Sequence, residues 1–422
     1  MPTLVSEACK QSNPGTMVKK LEGQGLALSG GGYRASLFHL GVTRRLHEIG
    51  ALQRTTRLSS VSGGSILAGF LAHRMLDRGA QRLEFDDWET EVSAPFRDFV
   101  REDIRTGLFL RHIAWNWAFP GARARGLEKA FRKRLGAAKL VELPKASADS
   151  IEFIFLATDI EHGVLWRYTS DKIGTYKRPK VDTPDSMTIA HAVAASACFP
   201  PIFGPIKVKV EGKVIAHLTD GGVYDNTGMQ PIWVDNKVVL VSDAGTPFET
   251  KVPKWFGSRI MRYVDIGRNQ VGALRRNAII RRLDRNYQNI HLPSGEPTDK
   301  PSGAFWRLAS KHKGFLEGAD DEFKAEYATL KADWYGYPES VLDDRISEIR
   351  TDMDAFTNAE SKILENHGYT MADLALRRHA RHLGNIGARF EVPHRDLLDP
   401  GTVSRELRNS HSRLHFWQRW FD

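Results

Sequence analysis

The spacing of apolar and polar positions changes several times along the chain, and each change marks an element. Gly25 to Leu28 is a short apolar run broken by Ser29-Gly30-Gly31-Gly32, and apolar residues then recur at helical spacing from about Arg34 to Ile49. The pattern repeats at once. Leu58 to Val61 runs into Ser62-Gly63-Gly64, and an apolar helix follows to about Met75. Two strand-turn-helix units therefore stand in series. Leu76 to Ala148 shows helical spacing and no strand alternation. Ile151 to Ala157 predicts a buried strand, with Gly163 to Tyr168 as its hairpin partner. Thr188 to Ser196 predicts a helix capped by Thr188, and Val238 to Ser242 predicts another core strand.

The second half reads differently. Phe256 to Asn286 predicts a long helix with a core-facing stripe of Ile260, Val264, Val271, Leu274 and Ile279-Ile280, its many arginines forming a solvated outer face or, as the alternative, a contact with anionic lipid or a partner. Pro293 to Gly303 reads as a loop, and Ala304 to Tyr337 as an insertion with helix-like charged segments. Ser340 to Leu364 and Thr370 to Leu383 read as two helices separated by His367-Gly368-Tyr369. The expected organisation is a loose lead over 1–20, a core over 21–250 carrying a helical insertion at 78–148, and a helical extension over 251–422 packed on that core.

Composition narrows the classes. With 422 residues and 41% hydrophobic content the chain can bury a large core. Its two cysteines, Cys9 and Cys198, sit in unrelated contexts, so reduced thiols and a cytoplasmic setting are expected. No signal peptide is expected, and no apolar run approaches the ~18 residues of a membrane span. The net charge of +9 suits nucleic acid or an anionic membrane. Without a nucleic-acid module, zinc spacing or basic tail, the membrane is the better partner. Leu108 to Pro120, rich in tryptophan and phenylalanine and followed by Arg123, Arg125, Lys129, Arg132, Lys133 and Arg134, fits a lid or a membrane-docking surface, or a helical insertion packed on the core. The aromatic-basic end, Leu414 to Phe421, allows the same two readings.

The chemistry concentrates in the turns. Ser62, between a strand and a helix and flanked by small residues, suits the strained turn that lifts a nucleophilic hydroxyl above a sheet; as a plain alternative it is a helix N-cap. The consensus G-x-S-x-G has Ser60 in place of its first glycine. Gly30, Gly31 and Gly32 can aim backbone N–H groups at an oxyanion. They lack the Lys-Ser/Thr of a Walker loop and the spacing of a dinucleotide fingerprint. Arg34 either braces that loop or attracts an anionic head group. Asp220, in Thr219-Asp220-Gly221-Gly222, ends a predicted strand, where open α/β sheets collect functional groups. Asp159 is a competing carboxylate. His39, His162, His191 and His217 are the histidines a triad would draw on, though none has a recognisable context.

GGGYRA, SVSGGS and DGG in this order, with Ala195-Ser196-Ala197-Cys198-Phe199-Pro200-Pro201-Ile202-Phe203-Gly204-Pro205 between the last two, resemble the patatin-like phospholipases and the related cytosolic phospholipase A2 group. The resemblance spans about Gly23 to Ala244. It implies an α/β three-layer sandwich around a mostly parallel sheet and a Ser-Asp dyad. Ser62 would be the nucleophile and Asp220 the base. Gly30, Gly31 and Gly32 would form the oxyanion hole, with support from Arg34 and Gly63. The implied activity is hydrolysis of a phospholipid or other lipid ester without cofactor or metal, in the cytoplasm with peripheral contact to an anionic membrane. Two alternatives stay open: a non-catalytic lipid-binding effector on the same scaffold, and an α/β-hydrolase that uses a histidine.

Overall fold

The computed structural model describes residues 22–104, 121–200, 202–245, 256–290 and 302–411. The expected lead over 1–20, the aromatic run 108–120 and the end from 412 lie outside them. The strands are β1 Gln24–Leu28, β2 Thr55–Val61, β3 Glu152–Asp159, β4 Val164–Tyr168, β5 Lys172–Gly174, β6 Val181–Asp182, β7 Ile206–Val210, β8 Lys213–Asp220, β9 Val238–Asp243 and β10 Ser302–Arg307. The longer helices are α1 Gly32–Glu48, α2 Gly63–Asp77, α3 Gly121–Leu135, α4 Ile189–Ser196, α5 Phe256–Ile290, α6 Asp321–Asp333 and α7 Asn358–His379.

One mixed sheet runs in the order β10-β9-β1-β2-β3-β4-β5-β6. Its centre, β10 through β3, is parallel, and β4, β5 and β6 continue it antiparallel. Alternation sorts the side chains of β1 and β9 to two faces. Leu26, Leu28 and Leu240 enter the large core beneath α1 and α2, while Ala27, Val239 and Val241 meet Ile232 and Ile279 on the other side. The result is an α/β sandwich of three layers. α1, α2 and α7 fill one side, and α5 crosses the other.

A register detail positions the site. β2 pairs with β3 only as far as Val61 opposite Leu156. The next residues of β3, Ala157 to Asp159, pair instead with β8, antiparallel, with Asp220 opposite Ala157. Because β4 holds the other edge of β3 over Phe155–Asp159, β8 takes up the line that β2 leaves. The end of β8 therefore lands beside the turn that follows β2.

The second half departs from its sequence pattern in three places. Ser302–Arg307, expected to fall across a loop and a helix-like insertion, is the edge strand of the parallel group. The two helices expected on either side of His367-Gly368-Tyr369 join in one continuous helix, α7, which begins only at Asn358, so most of the helix expected over Ser340 to Leu364 is instead two short helical turns and irregular chain. Gly368 is there for proximity, since a Cβ would lie 1.8 Å from the Phe38 carbonyl oxygen, and one on Gly41 of α1 would lie 1.9 Å from that of Glu365. The backbones of α1 and α7 touch at these two glycines. The third departure is α5, which faces opposite to expectation. Val264, Val271, Leu274 and Ile280, expected in the core, are exposed, while Ile279 is buried and Arg268 and Arg275 turn inward.

Candidate active site

Ser62 closes β2 with φ 49° and ψ −116°. The other non-glycine residue with positive φ among the described residues, Glu211, sits in the Glu211-Gly212 tip of the β7–β8 hairpin. Such a backbone costs about 1–3 kcal/mol and persists only where its surroundings enforce it. Here three contacts do so. Ser62 N–H donates to Ser196 Oγ at 2.9 Å, Ile66 N–H donates to the Ser62 carbonyl at 3.0 Å, and Gly64 N–H donates to the Ser29 carbonyl at 3.1 Å. No larger residue fits next to it. A Cβ on Gly63 would lie 2.1 Å from the Gly32 carbonyl oxygen, and one on Gly64 would lie 2.4 Å from that of Leu28.

The departure at Ser60 has a local explanation. The Ser65 hydroxyl donates to Ser60 Oγ at 2.9 Å and lies 2.8 Å from Ser196 Oγ, which itself donates to the Leu156 carbonyl at 2.5 Å. Three buried hydroxyls thus form a chain beneath Ser62, and the extra oxygen of Ser60 is satisfied within it. Ser196 comes from the Ala195–Pro205 segment, whose function sequence reading had not resolved.

Asp220 follows two residues of β8 that are themselves buried, and it caps the short turn Gly221–Val223. Its N–H donates to the Cys198 carbonyl at 3.1 Å, and its carbonyl accepts from Thr158 Oγ1 at 2.8 Å. Oδ1 accepts from Gly222 N–H at 2.7 Å, while Oδ2 is buried with no hydrogen-bond partner among the described residues. Burial pushes the carboxyl up to about 6; the Ser62 hydroxyl, the Gly222 N–H and the positive charge of Arg268 pull against it. Asp220 stands opposite Ala157 and Val61 opposite Leu156, so consecutive residues of β3 set this carboxylate next to the turn that holds Ser62. With 9% of Ser62 and 2% of Asp220 exposed, the pair sits in a nearly dry recess.

The glycine loop stands beside Ser62, with one change from expectation. Gly30 N–H donates to the Asn226 carbonyl at 3.0 Å and is already committed. The N–H groups of Gly31, Gly32 and Gly63 have no acceptor among the described residues. They cluster at the N-termini of α1 and α2, where a Cβ on Gly63 would lie 2.9 Å from Gly32 N. Gly31 and Gly32 have φ of 144° and 58°, which require glycine. The N-termini of α1 and α2 thus lie against each other, an arrangement suited to an oxyanion.

Other residues lock this loop. Arg34 is fully buried and donates to the carbonyls of Ser347 at 3.2 Å, Ile349 at 2.9 Å and Ala244 at 3.0 Å. It is a brace, out of reach of a head group. Tyr33 N–H donates to the Asp352 carbonyl at 2.9 Å, so residues 347–352 buttress the loop from far along the chain. Asn226 Nδ2 donates to the Gly30 carbonyl at 3.3 Å and ties the loop to the Asp-Gly-Gly turn. On the other side Arg268 Nε donates to the Gly222 carbonyl at 3.2 Å, with its guanidinium 5.4 Å from the centre of the Phe199 ring. Asn226 and Arg268 had no signal of their own in the sequence.

The competing groups are engaged elsewhere. Asp159 accepts from Glu161 N–H at 3.0 Å and pairs with His162 Nδ1 at 2.8 Å. His39 is buried between Ser242 Oγ and the Ser29 carbonyl, and burial lowers it to about 4. His191 contacts Tyr168 and Glu128, and His217 contacts Glu161. Asp159, Glu161 and His162 form a group of metal-ligand types among the described residues, but the Arg178 guanidinium already bonds both Glu161 and His162.

Residues 26–233 match the model of a family described as patatin-like phospholipase. Among solved structures, the chain is similar to VipD from Legionella pneumophila, with 16% identity and a TM-score of 0.36, over 89% of this chain and 73% of that one. It is also similar to human GIVD cytosolic phospholipase A2, with 10% identity and a TM-score of 0.47, over 93% of this chain and 63% of that one. The same human protein, in complex with methyl gamma-linolenyl fluorophosphonate inhibitor and terbium chloride, aligns at 13% identity and a TM-score of 0.48, over 93% of this chain and 60% of that one. The chain thus spans about three fifths of the human protein's length. No curated protein is significantly similar in sequence.

Proposed function

Since the chain carries a patatin-like phospholipase domain over residues 26–233, we propose that it is a lipid acyl hydrolase in which Ser62 and Asp220 form a catalytic dyad. The Ser62 Oγ attacks the ester carbonyl carbon while its proton passes to the Asp220 carboxylate. The carbonyl oxygen becomes an oxyanion, held by the N–H groups of Gly31, Gly32 and Gly63, each such donor being worth about 3 kcal/mol in the transition state. Asp220 then returns the proton to the leaving alcohol. Water attacks the acyl-enzyme by the same route, releasing the fatty acid and restoring Ser62.

The carrying observation is the half-paired, buried carboxylate beside a strained serine. A carboxylate at its ordinary pKa of about 4 is a weak base for a hydroxyl. At about 6, Asp220 is a stronger base and remains mostly ionised at neutral pH. The substrate is a phospholipid or another lipid ester, and the chemistry needs no cofactor. Arg34 does not select the head group, because its guanidinium is spent on backbone carbonyls.

The test is hydrolysis of a short p-nitrophenyl ester together with labelling by a fluorophosphonate. Wild type is expected to turn over and to carry the label on Ser62, and folded Ser62→Ala is expected to do neither. An active wild type whose label maps to another residue, or a Ser62→Ala variant that keeps its rate, overturns the assignment.

A further inference from the structure

α5 turns charged side chains inward and leaves large apolar ones exposed. At ~100° per residue, the inward-turned positions fall within one arc of the helix and the exposed apolar positions lie outside it, interleaved with polar ones. The inward face carries Asp265, Arg268, Gly272, Arg275, Arg276 and Ile279. These arginines have buried work to do. Arg275 Nη1 lies 2.6 Å from Oδ1 of buried Asp225 and donates to the Tyr224 carbonyl at 3.2 Å, while Arg268 reaches the Gly222 carbonyl. Polar acceptors in the turn after Asp220 draw the cations inward, which leaves the apolar positions on the outside. Tyr263 is 67% exposed and Leu274 68%, and Val264, Ile266, Val271 and Ile280 are exposed with them.

We propose that this outward face of α5 docks on the surface of an anionic lipid bilayer. A row of six large apolar side chains on one exposed helix face is unusual for a surface with no partner. The charged residues among the described side chains away from the inward face are Arg259, Arg262 and Arg281. With a net charge of +9 on the whole chain, this combination matches lipid tails below and anionic head groups beside them. The location fits as well. The inward arginines of the same helix grip the turn that carries Asp220, so a bilayer against α5 lies beside the recess of Ser62. This last step rests on the hydrolase reading above, whereas the docking itself does not.

The experiment is co-sedimentation of the full chain with vesicles of phosphatidylcholine alone and of equimolar phosphatidylcholine and phosphatidylserine. Val271→Gln/Leu274→Gln removes two outward apolar groups without changing charge or touching the inward face. Wild type is expected to prefer the anionic vesicles. The double variant is expected to bind at least ~10-fold more weakly, because two aliphatic groups that would leave water on docking are replaced by amides that stay hydrated. Its hydrolysis of a soluble short-chain ester is expected to match wild type. Wild type that stays unbound, or a double variant that binds equally well, overturns the proposal. So does a wild-type dimer in solution that the double variant dissociates, since a second copy would then be what covers the face. Vesicle binding through this face by a chain that hydrolyses no ester leaves the docking standing and removes the hydrolase reading instead.

Discussion

The turn after β8 and the middle of α7 each bury a carboxylate, and the surroundings treat the two in opposite ways. Asp220 keeps one oxygen without a donor, and burial lifts it to about 6. Glu365 has both oxygens occupied. Oε1 accepts from Ser93 Oγ at 2.6 Å and from Arg44 Nη1 at 3.3 Å, and Oε2 accepts from Arg97 Nη1 at 2.7 Å and His394 Nε2 at 2.8 Å. Burial pushes Glu365 up too, but His394, Arg97 and Arg44 outweigh it and hold it at about 2. Depth alone therefore says little about a buried acid. The number of donors that reach it separates a group that can exchange a proton from one that holds helices together.

The largest expected effect breaks the comparison on the activity side. Asp220→Asn should lower ester hydrolysis by ~10²–10⁴-fold, the span of a lost general base, with the fold intact by circular dichroism. Glu365→Gln should leave the rate per folded molecule near wild type. Equal losses from both would mean that Asp220 acts only through structure.

Stability should move the other way. Glu365→Ala leaves Arg97 and Arg44 facing an empty buried site and should cost about 3–5 kcal/mol in denaturant unfolding at neutral pH. The wild-type contribution of Glu365 is fully present above its unfolded pKa of ~4.3 and fades as pH falls toward 2. A loss under ~1 kcal/mol would show the network to be weakly coupled.

Asp220 carries the reverse sign. Its folded pKa lies above the unfolded value of ~3.9, so the wild-type fold loses stability as pH rises from about 4 through about 6. Asp220→Asn escapes this loss. It should be more stable than wild type by up to ~3 kcal/mol at pH 8, with the gain vanishing near pH 4. A gain independent of pH would point to packing rather than ionisation.

The same titration should appear in catalysis. The rate should rise with pH through a midpoint of about 6, as Asp220 ionises. Arg268 lowers that pKa, so Arg268→Gln should move the acid limb to higher pH, and an unmoved limb would remove Arg268 from the field at the site. Smallest of all is Ser60→Gly. It restores the consensus glycine but removes one acceptor of the Ser65 hydroxyl, and a change of about 0.5–1.5 kcal/mol in stability is expected, with little in rate.

Much of the site's local form could be read along the chain. Apolar runs interrupted by Gly30-Gly31-Gly32 and by Ser62-Gly63-Gly64 marked two strand-to-helix turns, and both are present. Thr188 caps α4, accepting from His191 N–H at 3.2 Å, as its place before an apolar run indicated. The misread elements share a cause. Gly368 looked like a break, because a chain pattern does not show that another helix lies against it. β10 was missed because a six-residue strand between poorly patterned stretches has no local mark.

What the sequence determined by itself is therefore the set of short-range features. These are the strand and helix periods, the small residues where backbone must turn sharply, and the presence of a serine, an aspartate and a glycine loop in one order. Local sterics and periodicity act within a few residues, so neighbours in the chain suffice to specify them. Tertiary structure decided which of these groups meet and in what state. It set Asp220 on the line that β2 vacates, committed the Gly30 amide to Asn226, spent Arg34 on carbonyls more than 200 residues away, and turned the arginines of α5 inward. Each of these outcomes depends on which donors and acceptors lie across a packed boundary, and an amphipathic pattern alone does not record which face finds a buried partner.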